Sequence, residues 1–430
     1  MCGVTIVIAR DRERAELLAR EFYDVLRLRG PDALSVVVKE CAGVFVVLVA
    51  SVLWIRGENV AKQPVEVSER GVLAWNGELF NAEALNEEAV SDTNLLVDWL
   101  QKSSPTEVIA RCEGPFAITY LDEKRRKLLF ARNRFGQRSL LIALPQPLSG
   151  QCISHEPDHS IGEGEIDLAD DVLVISSVVP DAIQQKFAWR EVPVSGVFEL
   201  DLSKGLSNVR LNLALCYDPL PGARLLDLDR ESACREVLQL LQRSVMKRVV
   251  SLGTSCRKVR LLFSGGVDCL LLAVYLHRCL PASAELVLRN VAFGPDFESA
   301  FDRVQARRAL AELISLFPER KWQMEEVNVD EQALADVIEK VKVLTFPQTS
   351  VMDVTIGSVL WFAFGGIEKD PKVVFSGIGA DELFAGYARH KSRFNRAEKG
   401  LFNHSAVFCF FDEWVSNRLE RFEFGAQDRD

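Results

Sequence analysis

The stretch VRLLFSGGVD at residues 259–268 decides how the second half of the chain folds. Its apolar residues 259–263 predict a buried strand, and the apolar pattern of residues 267–277 predicts a helix. The serine and two glycines between them therefore form a tight turn from strand to helix. Such a turn either uses glycine only for close packing, or it cradles an anion on bare backbone N–H groups at the helix start.

The chemistry of this turn favours phosphate over simple packing. Its hydroxyl adds a donor, and the carboxylate that follows can hold Mg²⁺ against phosphate oxygens. The spacing is neither that of a Walker loop nor that of the dinucleotide-binding fingerprint. We expect a phosphate and magnesium site built from Ser264, Gly265, Gly266 and Asp268.

Strands and helices alternate around that turn. From residue 230 to about residue 341 the pattern predicts helices and strands in turn, which is typical of a doubly wound parallel α/β sheet. The first two hundred residues instead carry many short apolar runs, including one at 52–55 that predicts a separate strand. Two amphipathic segments, 12–28 and 92–100, predict helices among them. This half is expected to be an α+β domain of packed layers.

Glycine and proline interrupt the pattern between the two halves. We therefore assign residues 2–203 to the first domain and 204–229 to a linker. Residues 230–395 form the second domain, and 396–430 are a divergent tail.

Composition excludes several classes of function. The 430 residues carry a net charge of −10 and a pI near 5.3, which argues against a nucleic-acid partner. The ten cysteines form no CxxC pair, and none lies at zinc-finger spacing from a histidine. The longest apolar run is too short to span a membrane, and no signal-peptide pattern opens the chain. These features predict a cytoplasmic protein with small-molecule partners and no membrane contact.

The chain begins Met1-Cys2-Gly3. Removal of Met1 leaves Cys2 with a thiol and a free α-amine, and the amine can take the thiol proton without a histidine. A cysteine at position two can also be incidental. Farther on, Asn76-Gly77 is either a common hairpin turn or, through a side-chain amide and an unhindered N–H, the donor pair of an oxyanion hole.

The order of several segments resembles the class II glutamine amidotransferases. After Cys2-Gly3 come RGPD at 29–32, NGELFN at 76–81, SDT at 91–93, EGPFA at 113–117 and RNRFGQRSL at 132–140. The resemblance implies an N-terminal-nucleophile αββα sandwich in which Cys2 attacks the side-chain amide of glutamine.

The same resemblance implies roles for the neighbouring residues. Asn76 and Gly77 would hold the oxyanion, and Asp92 would bind the α-ammonium of glutamine, with Glu78 in the same site. The family's arginine for the glutamine α-carboxylate falls on Leu53 in this chain. Arg56 is therefore expected to take its place.

The phosphate turn resembles the loop of the ATP pyrophosphatases, which cleave ATP to AMP and pyrophosphate. FSGIGADELFAGY at 375–387 resembles the SGEGxDExFxGY segment of the asparagine synthetases, and this resemblance extends from Met1 to about residue 394. It implies that Phe293, Ser376 and Gly377 bind ATP, and that Asp381 is a second contact for Mg²⁺. ATP is the expected substrate and Mg²⁺ the expected cofactor.

Two functions stay open, as do the acceptor and the oligomeric state. One is an asparagine synthetase that hydrolyses glutamine and transfers ammonia to ATP-activated aspartate. The other is a binding or regulatory homologue without the full reaction, which three departures favour. Ile378 replaces a glutamate, Cys269 and Leu270 replace two serines, and the family's C-terminal helical region is not recognisable, so the second domain is expected to be incomplete. A phosphoribosyl-pyrophosphate amidotransferase would lack the SGGxD turn. We expect glutamine hydrolysis to survive better than asparagine formation.

Overall fold

The computed structural model describes residues 1–81, 91–144, 164–166, 172–206, 209–217, 229–250, 252, 258–365, 372–384, 386–388 and 392. They form two compact units. The first contains Met1–Pro219 and Val343–Thr349, and the second contains Leu220–Lys342 and the described residues from Ser350 onward. The predicted tail at 396–430 lies outside the described residues.

Antiparallel strands dominate the described part of the first unit. In chain order they are β1 (Gly3–Ala9), β2 (Ala33–Cys41), β3 (Val44–Val52), β4 (Val65–Val67), β5 (Gly71–Gly77), β6 (Phe116–Asp122), β7 (Lys127–Arg132), β8 (Leu141–Leu144), β9 (Gly164–Ile166), β10 (Val172–Ser176), β11 (Ala188–Glu191), β12 (Gly196–Asp201) and β13 (Val209–Cys216). Its helices are α1 (Arg12–Arg20), α2 (Tyr23–Arg29), α3 (Asp92–Lys102), α4 (Pro105–Arg111) and α5 (Asp181–Gln184).

These strands form two sheets, with the orders β11-β8-β10-β1-β3-β2 and β4-β5-β6-β7-β12-β13-β9. Because successive residues of a strand face opposite sides, Ile6 and Ile8 of β1 enter the apolar layer shared by the two sheets. Val7 packs instead with residues of α1 and α2. Helices α3 and α4 cover the other side of the second sheet. The layers therefore run helix, sheet, sheet, helix, which confirms the predicted αββα sandwich.

Two local predictions in this unit were wrong. Residues 12–28 form α1 and α2 instead of one helix, because the chain turns at Glu21 and Phe22 while the apolar spacing continues through the turn. Residues 53–55 form no strand. The Leu53 N–H donates to the thiol of Cys2, and the Trp54 N–H donates to Asp32, so neither is used to extend β3.

Strand β13 falls inside residues 204–229, which the sequence pattern assigned to a linker. It pairs with β12 in the second sheet, from Asp201 opposite Arg210 to Gly196 opposite Cys216. Val209 and Leu211 are buried in the layer between the sheets. The alternation of apolar and polar residues here indicates a strand, but the glycine and prolines on either side led to the assignment as a linker.

The second unit contains a parallel sheet. Its described elements are α6 (Arg230–Val250), β14 (Lys258–Leu262), α7 (Val267–Cys279), β15 (Glu285–Phe293), α8 (Phe301–Leu316), β16 (Trp322–Val329), α9 (Glu331–Thr345), α10 (Val351–Phe364), β17 (Val374–Phe375) and α11 (Ala380–Phe384), with the last residues of α9 assigned to the first unit.

The strand order in this sheet is β16-β15-β14-β17, and all three pairings are parallel. This confirms the predicted parallel α/β sheet. The order reverses between β14 and β17, since the first strand of the sheet lies beside the last. Ligands of open α/β sheets bind outside the carboxyl ends of the strands at such a reversal. Within the described residues, no helix combines the length and apolar character that crossing a bilayer requires.

Candidate active site

The N-terminal residues are held in place by a buried arginine. Cys2 directly precedes β1, and its carbonyl accepts a hydrogen bond from Arg29 Nε at 3.2 Å. A second nitrogen of Arg29 donates to the carbonyl of Ser177 at 3.2 Å, and the ammonium group of Met1 donates to the carbonyl of Arg29 at 3.1 Å. Arg29 therefore joins the start of β1 to the end of β10.

The rest of the RGPD segment shapes the backbone around Cys2. A side chain at Gly30 would collide with the backbone of Ser51 and Val52, so only glycine allows this approach. The Asp32 carboxylate accepts from the Trp54 N–H at 2.7 Å and fixes the segment after β3. This motif positions the nucleophile and contributes no reacting group of its own.

The thiol of Cys2 faces the backbone of Leu53. The Leu53 N–H lies 3.4 Å from Sγ, and the Leu53 carbonyl lies 3.9 Å from it. Burial raises the pKa of the thiol, so the thiolate forms only when a base beside it takes the proton. Burial also lowers the pKa of the N-terminal amine from 8.0 to about 5 while Met1 is attached. An amine in this environment is a free base at neutral pH.

One pocket brings most of the predicted glutamine site together. Its wall includes five of the predicted residues: Cys2, Arg56, Gly77, Glu78 and Asp92. They come from four separate segments of the chain, so the folding of the unit assembles them. Arg56, which replaces the expected family arginine, is thus in reach of a bound substrate.

The two carboxylates of the pocket interact with each other. Burial and then the charge of Asp92 raise the pKa of Glu78 from 4.5 to about 8, against the opposing charges of Arg138 and Arg56. Burial raises the pKa of Asp92 from 3.8 to about 6, while Arg56 acts in the opposite direction. The Thr93 N–H donates to Asp92 at 2.9 Å. The pair carries less than two negative charges at neutral pH, and a ligand ammonium would restore its full ionisation.

The predicted oxyanion donors lie at the end of β5. Gly77 is part of the pocket wall, and a side chain there would collide with Phe116 and with the Pro115 carbonyl. Asn76 does not line the pocket, but it is only 2% exposed, and its Nδ2 has no hydrogen-bond partner among the described residues. A buried amide donor without a partner is costly, and an oxyanion would satisfy it.

The sequence alone did not indicate the residues that support this wall. The side-chain oxygen of Gln63 accepts from the Trp75 N–H at 2.8 Å, and the Trp75 indole donates to the Thr93 hydroxyl at 3.0 Å. No role was predicted for Gln63. Nothing in its local sequence shows that its amide reaches β5.

The predicted phosphate turn lies where β14 ends and α7 begins. Gly265 has φ +84°, and a side chain there would collide with the backbone of Gln305 and Ala306. The Gly266 N–H donates to the Ser264 hydroxyl at 3.4 Å. Close packing against α8 explains Gly265, and the cradle for an anion stays a prediction.

The segment after β17 lies beside this turn. A side chain at Gly377 would come within 3.0 Å of the Asp268 Cβ, so the two loops touch. The Ser376 hydroxyl accepts from the Ile378 N–H at 3.1 Å, and the Ile378 side chain is 53% exposed. Phe293 ends the neighbouring strand β15 and packs edge to face on Phe362. The loops that follow the strands therefore gather the predicted ATP residues at one edge of the sheet.

The two predicted magnesium ligands face each other across these loops. Burial raises the pKa of Asp268, and the negative charge of Asp381 raises it further. No group of three or more metal-binding side chains occurs among the described residues. Two carboxylates fit a Mg²⁺ ion that keeps most of its remaining ligands from phosphate and water.

Comparison with known proteins agrees with this division of the chain. Residues 1–153 match the family model of the glutamine amidotransferase domain, and residues 236–422 match that of asparagine synthase. Asparagine synthetase domain-containing protein CG17486 of Drosophila melanogaster is 28% identical, over 86% of this chain and 75% of its own length. Asparagine synthetase domain-containing protein 1 of Mus musculus is 25% identical, over 92% of this chain and 81% of its own length.

Glutamine-hydrolysing asparagine synthetase of Gallus gallus is 26% identical, over 90% of this chain and 67% of its own length. The domain order and these relatives agree with the two separate clusters of site residues. The chain is therefore similar to the asparagine synthase-like glutamine amidotransferases, with a match to the glutamine amidotransferase domain followed by a match to asparagine synthase.

Proposed function

We propose that this protein hydrolyses the side-chain amide of glutamine at Cys2, and that its second unit binds ATP with Mg²⁺ but forms asparagine slowly. The observation that carries the proposal is the pocket that joins Cys2 to Arg56, Glu78 and Asp92. A nucleophile, a cation for an α-carboxylate and two carboxylates for an α-ammonium match the functional groups of glutamine.

The chemistry follows from these groups. After removal of Met1, the α-amine of Cys2 takes the thiol proton, and Sγ attacks the amide carbon of glutamine. The amide oxygen becomes an oxyanion that accepts hydrogen bonds from Asn76 Nδ2 and the Gly77 N–H. The proton returns to the amide nitrogen, which leaves as ammonia and gives a thioester. Water then cleaves the thioester, releasing glutamate and the thiol.

The second unit offers an ATP site, but it lacks polar groups that would assist asparagine formation. Ser264, Gly265 and Gly266 would cradle phosphates, with Phe293, Ser376 and Gly377 around the nucleotide. Mg²⁺ between Asp268 and Asp381 would neutralise phosphate charge and polarise the bond that breaks. The residues themselves bind and orient ATP.

A binding or regulatory role is a second candidate, supported by the side chains around the phosphate turn. Ile378 cannot move a proton, and the thiol of Cys269 is turned to the Gly266 carbonyl at 3.1 Å. Leu270 offers no hydroxyl. Conversion of an activated aspartate to asparagine would therefore proceed without polar groups that asparagine synthetases provide.

The hydrolysis is tested by incubating purified protein with glutamine, aspartate and MgATP and measuring glutamate, asparagine, AMP and pyrophosphate together. We expect glutamate to form in the wild type and to be lost in Cys2→Ala. Intact mass should show that Met1 is absent, and a diazoketone analogue of glutamine should label Cys2 among the ten cysteines. Cys216→Ala, at an exposed cysteine, is the matched control and should keep both label and activity. Labelling that persists in Cys2→Ala would refute the assignment.

A further inference from the structure

The segment at 53–57 carries Arg56 beyond the end of β3. The arginine that the sequence resemblance implies falls on Leu53, directly after the last residue of that strand, where the sheet would hold it. Arg56 lies three residues farther on, in a segment that forms neither helix nor strand. Contacts outside the sheet must therefore hold it in the wall of the pocket.

Trp54 supplies such contacts by folding the segment back on itself. Its indole Nε1 donates to the Arg56 carbonyl at 2.9 Å and to the Gly57 carbonyl at 3.1 Å. Gly57 has φ +84°, a left-handed conformation that suits glycine, and the chain turns there. One N–H group thus closes a turn around Arg56.

The backbone of Trp54 is anchored beside the nucleophile. Its N–H donates to the Asp32 carboxylate at 2.7 Å, and the preceding N–H, that of Leu53, lies 3.4 Å from the Cys2 thiol. The Trp54 side chain is 36% exposed and lines the same pocket as Cys2 and Arg56. Trp54 therefore joins the backbone that surrounds the nucleophile to the turn that carries the arginine.

An arginine on an unrestrained loop would bind a carboxylate weakly. A guanidinium binds a carboxylate best through two parallel hydrogen bonds, and these need a fixed geometry. Ordering a loop and a long side chain costs conformational entropy, which reduces affinity unless the protein has already ordered them. The two hydrogen bonds of the indole order the backbone of Arg56 within the protein itself.

We propose that Trp54 is a positioning residue that holds Arg56 in place for the α-carboxylate of glutamine. It thereby compensates for an arginine that lies three residues past the expected position. This inference rests on the proposed function and deepens it, since it states how the pocket recognises one end of its substrate. An indole that only satisfied two carbonyls of a surface loop would leave the recognition of glutamine unchanged.

The test measures glutamine hydrolysis in the wild type, Trp54→Phe, Arg56→Gln and the double variant. Phenylalanine keeps an aromatic ring in the pocket wall and removes the N–H donor. Loss of this donor should raise KM about tenfold and leave kcat within about twofold of the wild type. In the Arg56→Gln background the same substitution should change kcat/KM by less than about twofold, because the residue that Trp54 positions is gone. The ratio kcat/KM is measurable in these variants even where glutamine does not saturate them.

Two further variants separate this role from a general effect on folding. Gly57→Ala disturbs the same turn without changing the indole, since a side chain at φ +84° is strained, and it should also raise KM. The matched control is Trp322→Phe in the second unit, which removes an indole that donates to the Phe317 carbonyl at 3.0 Å. It should keep the KM of the wild type. Thermal melting should show that all variants are folded at the assay temperature.

The outcomes distinguish the inference from the proposed function. An unchanged KM in Trp54→Phe, or the same loss of kcat/KM with and without Arg56, would overturn the inference while leaving the proposed function intact. A lower kcat at an unchanged KM would overturn it as well, because the effect would then fall on the reaction and not on recognition. A wild type that does not hydrolyse glutamine would refute the proposed function, and the inference with it.

Discussion

Single residues of the glutamine pocket owe their chemistry to burial. Cys2 and the N-terminal amine are both less ionised than in water, and the same environment holds a proton between Glu78 and Asp92. Proton transfer from the thiol to an adjacent amine forms an ion pair, and only the contact between its two charges offsets the cost of their burial. The pocket therefore prepares a reaction that begins with internal proton transfer.

The raised pKa of Glu78 makes the stability of the protein depend on pH. The folded protein holds the carboxyl proton until about pH 8, whereas the ordinary value is 4.5. This stabilisation is complete below about pH 4.5 and is lost as the pH rises through 8. The free energy of unfolding should fall across this range with a slope of up to about 1.4 kcal/mol per pH unit from this group.

Glu78→Gln should remove that contribution, because its amide does not titrate. Thermal melting between pH 5 and pH 8 without ligand checks this, and the melting temperature of the variant should fall less than that of the wild type. Glu58→Gln, at an exposed carboxylate near the pocket, should melt as the wild type at each pH. Identical pH slopes in Glu78→Gln and wild type would show that Glu78 is not the buried proton carrier.

At the level of elements, each site lies where a strand ends. The candidate glutamine site uses the start of β1 and the ends of β3 and β5, and the candidate ATP site uses the loops after β14, β15 and β17. Such ends combine a rigid scaffold with backbone groups that are not used in the sheet. The turn between β14 and α7 is the clearest case, because the structure requires glycine at position 265 but tolerates a side chain at position 266.

Gly265→Ala should destabilise the second unit, and Gly266→Ala should be tolerated. At Gly265 a side chain meets both a left-handed backbone, which costs about 1–2 kcal/mol, and the backbone of α8. At Gly266, φ is −69° and the nearest atom, the Ser264 hydroxyl, would lie 3.5 Å away. Thermal unfolding of both variants without nucleotide measures the difference. Equal melting temperatures would mean that the approach of α8 to this turn is not rigid.

In the whole molecule, separate apolar cores support the two candidate sites. Apolar clusters of the sandwich support the glutamine pocket, and a different cluster supports the parallel sheet. Loss of polar groups around the phosphate turn therefore need not affect glutamine hydrolysis.

Asparagine formation should consequently lag far behind glutamate formation. General acid–base help contributes about 10²–10⁴ in rate, so we expect fewer than about one asparagine per hundred glutamates. Ile378→Glu alone should raise this ratio little, and Ile378→Glu combined with Cys269→Ser and Leu270→Ser should raise it more. Leu383→Glu, at an exposed position of α11, is the control for added charge. Asparagine formation at about 1 s⁻¹ or faster by the unmodified chain would contradict the prediction.

Much of the fold could be predicted because its signals are local. Apolar runs and their spacing indicated the layered first domain and the parallel second sheet, and the Cys2-Gly3 and SGGVD segments located both candidate sites. The break between α1 and α2 was missed because the apolar spacing continues across the turn. Strand β13 was missed because the glycine and prolines near it indicated a linker.

The sequence by itself determined which groups this protein carries for chemistry: a cysteine beside the terminus, an Asn-Gly pair, and a Ser-Gly-Gly-x-Asp turn. Only the tertiary structure decided that Arg56 lines the same pocket as Cys2, and that Glu78 lies against Asp92. The physical reason is that reactivity depends on burial and on the distance between charges. Both arise when strands far apart in the chain pack together, and no local pattern of residues encodes them.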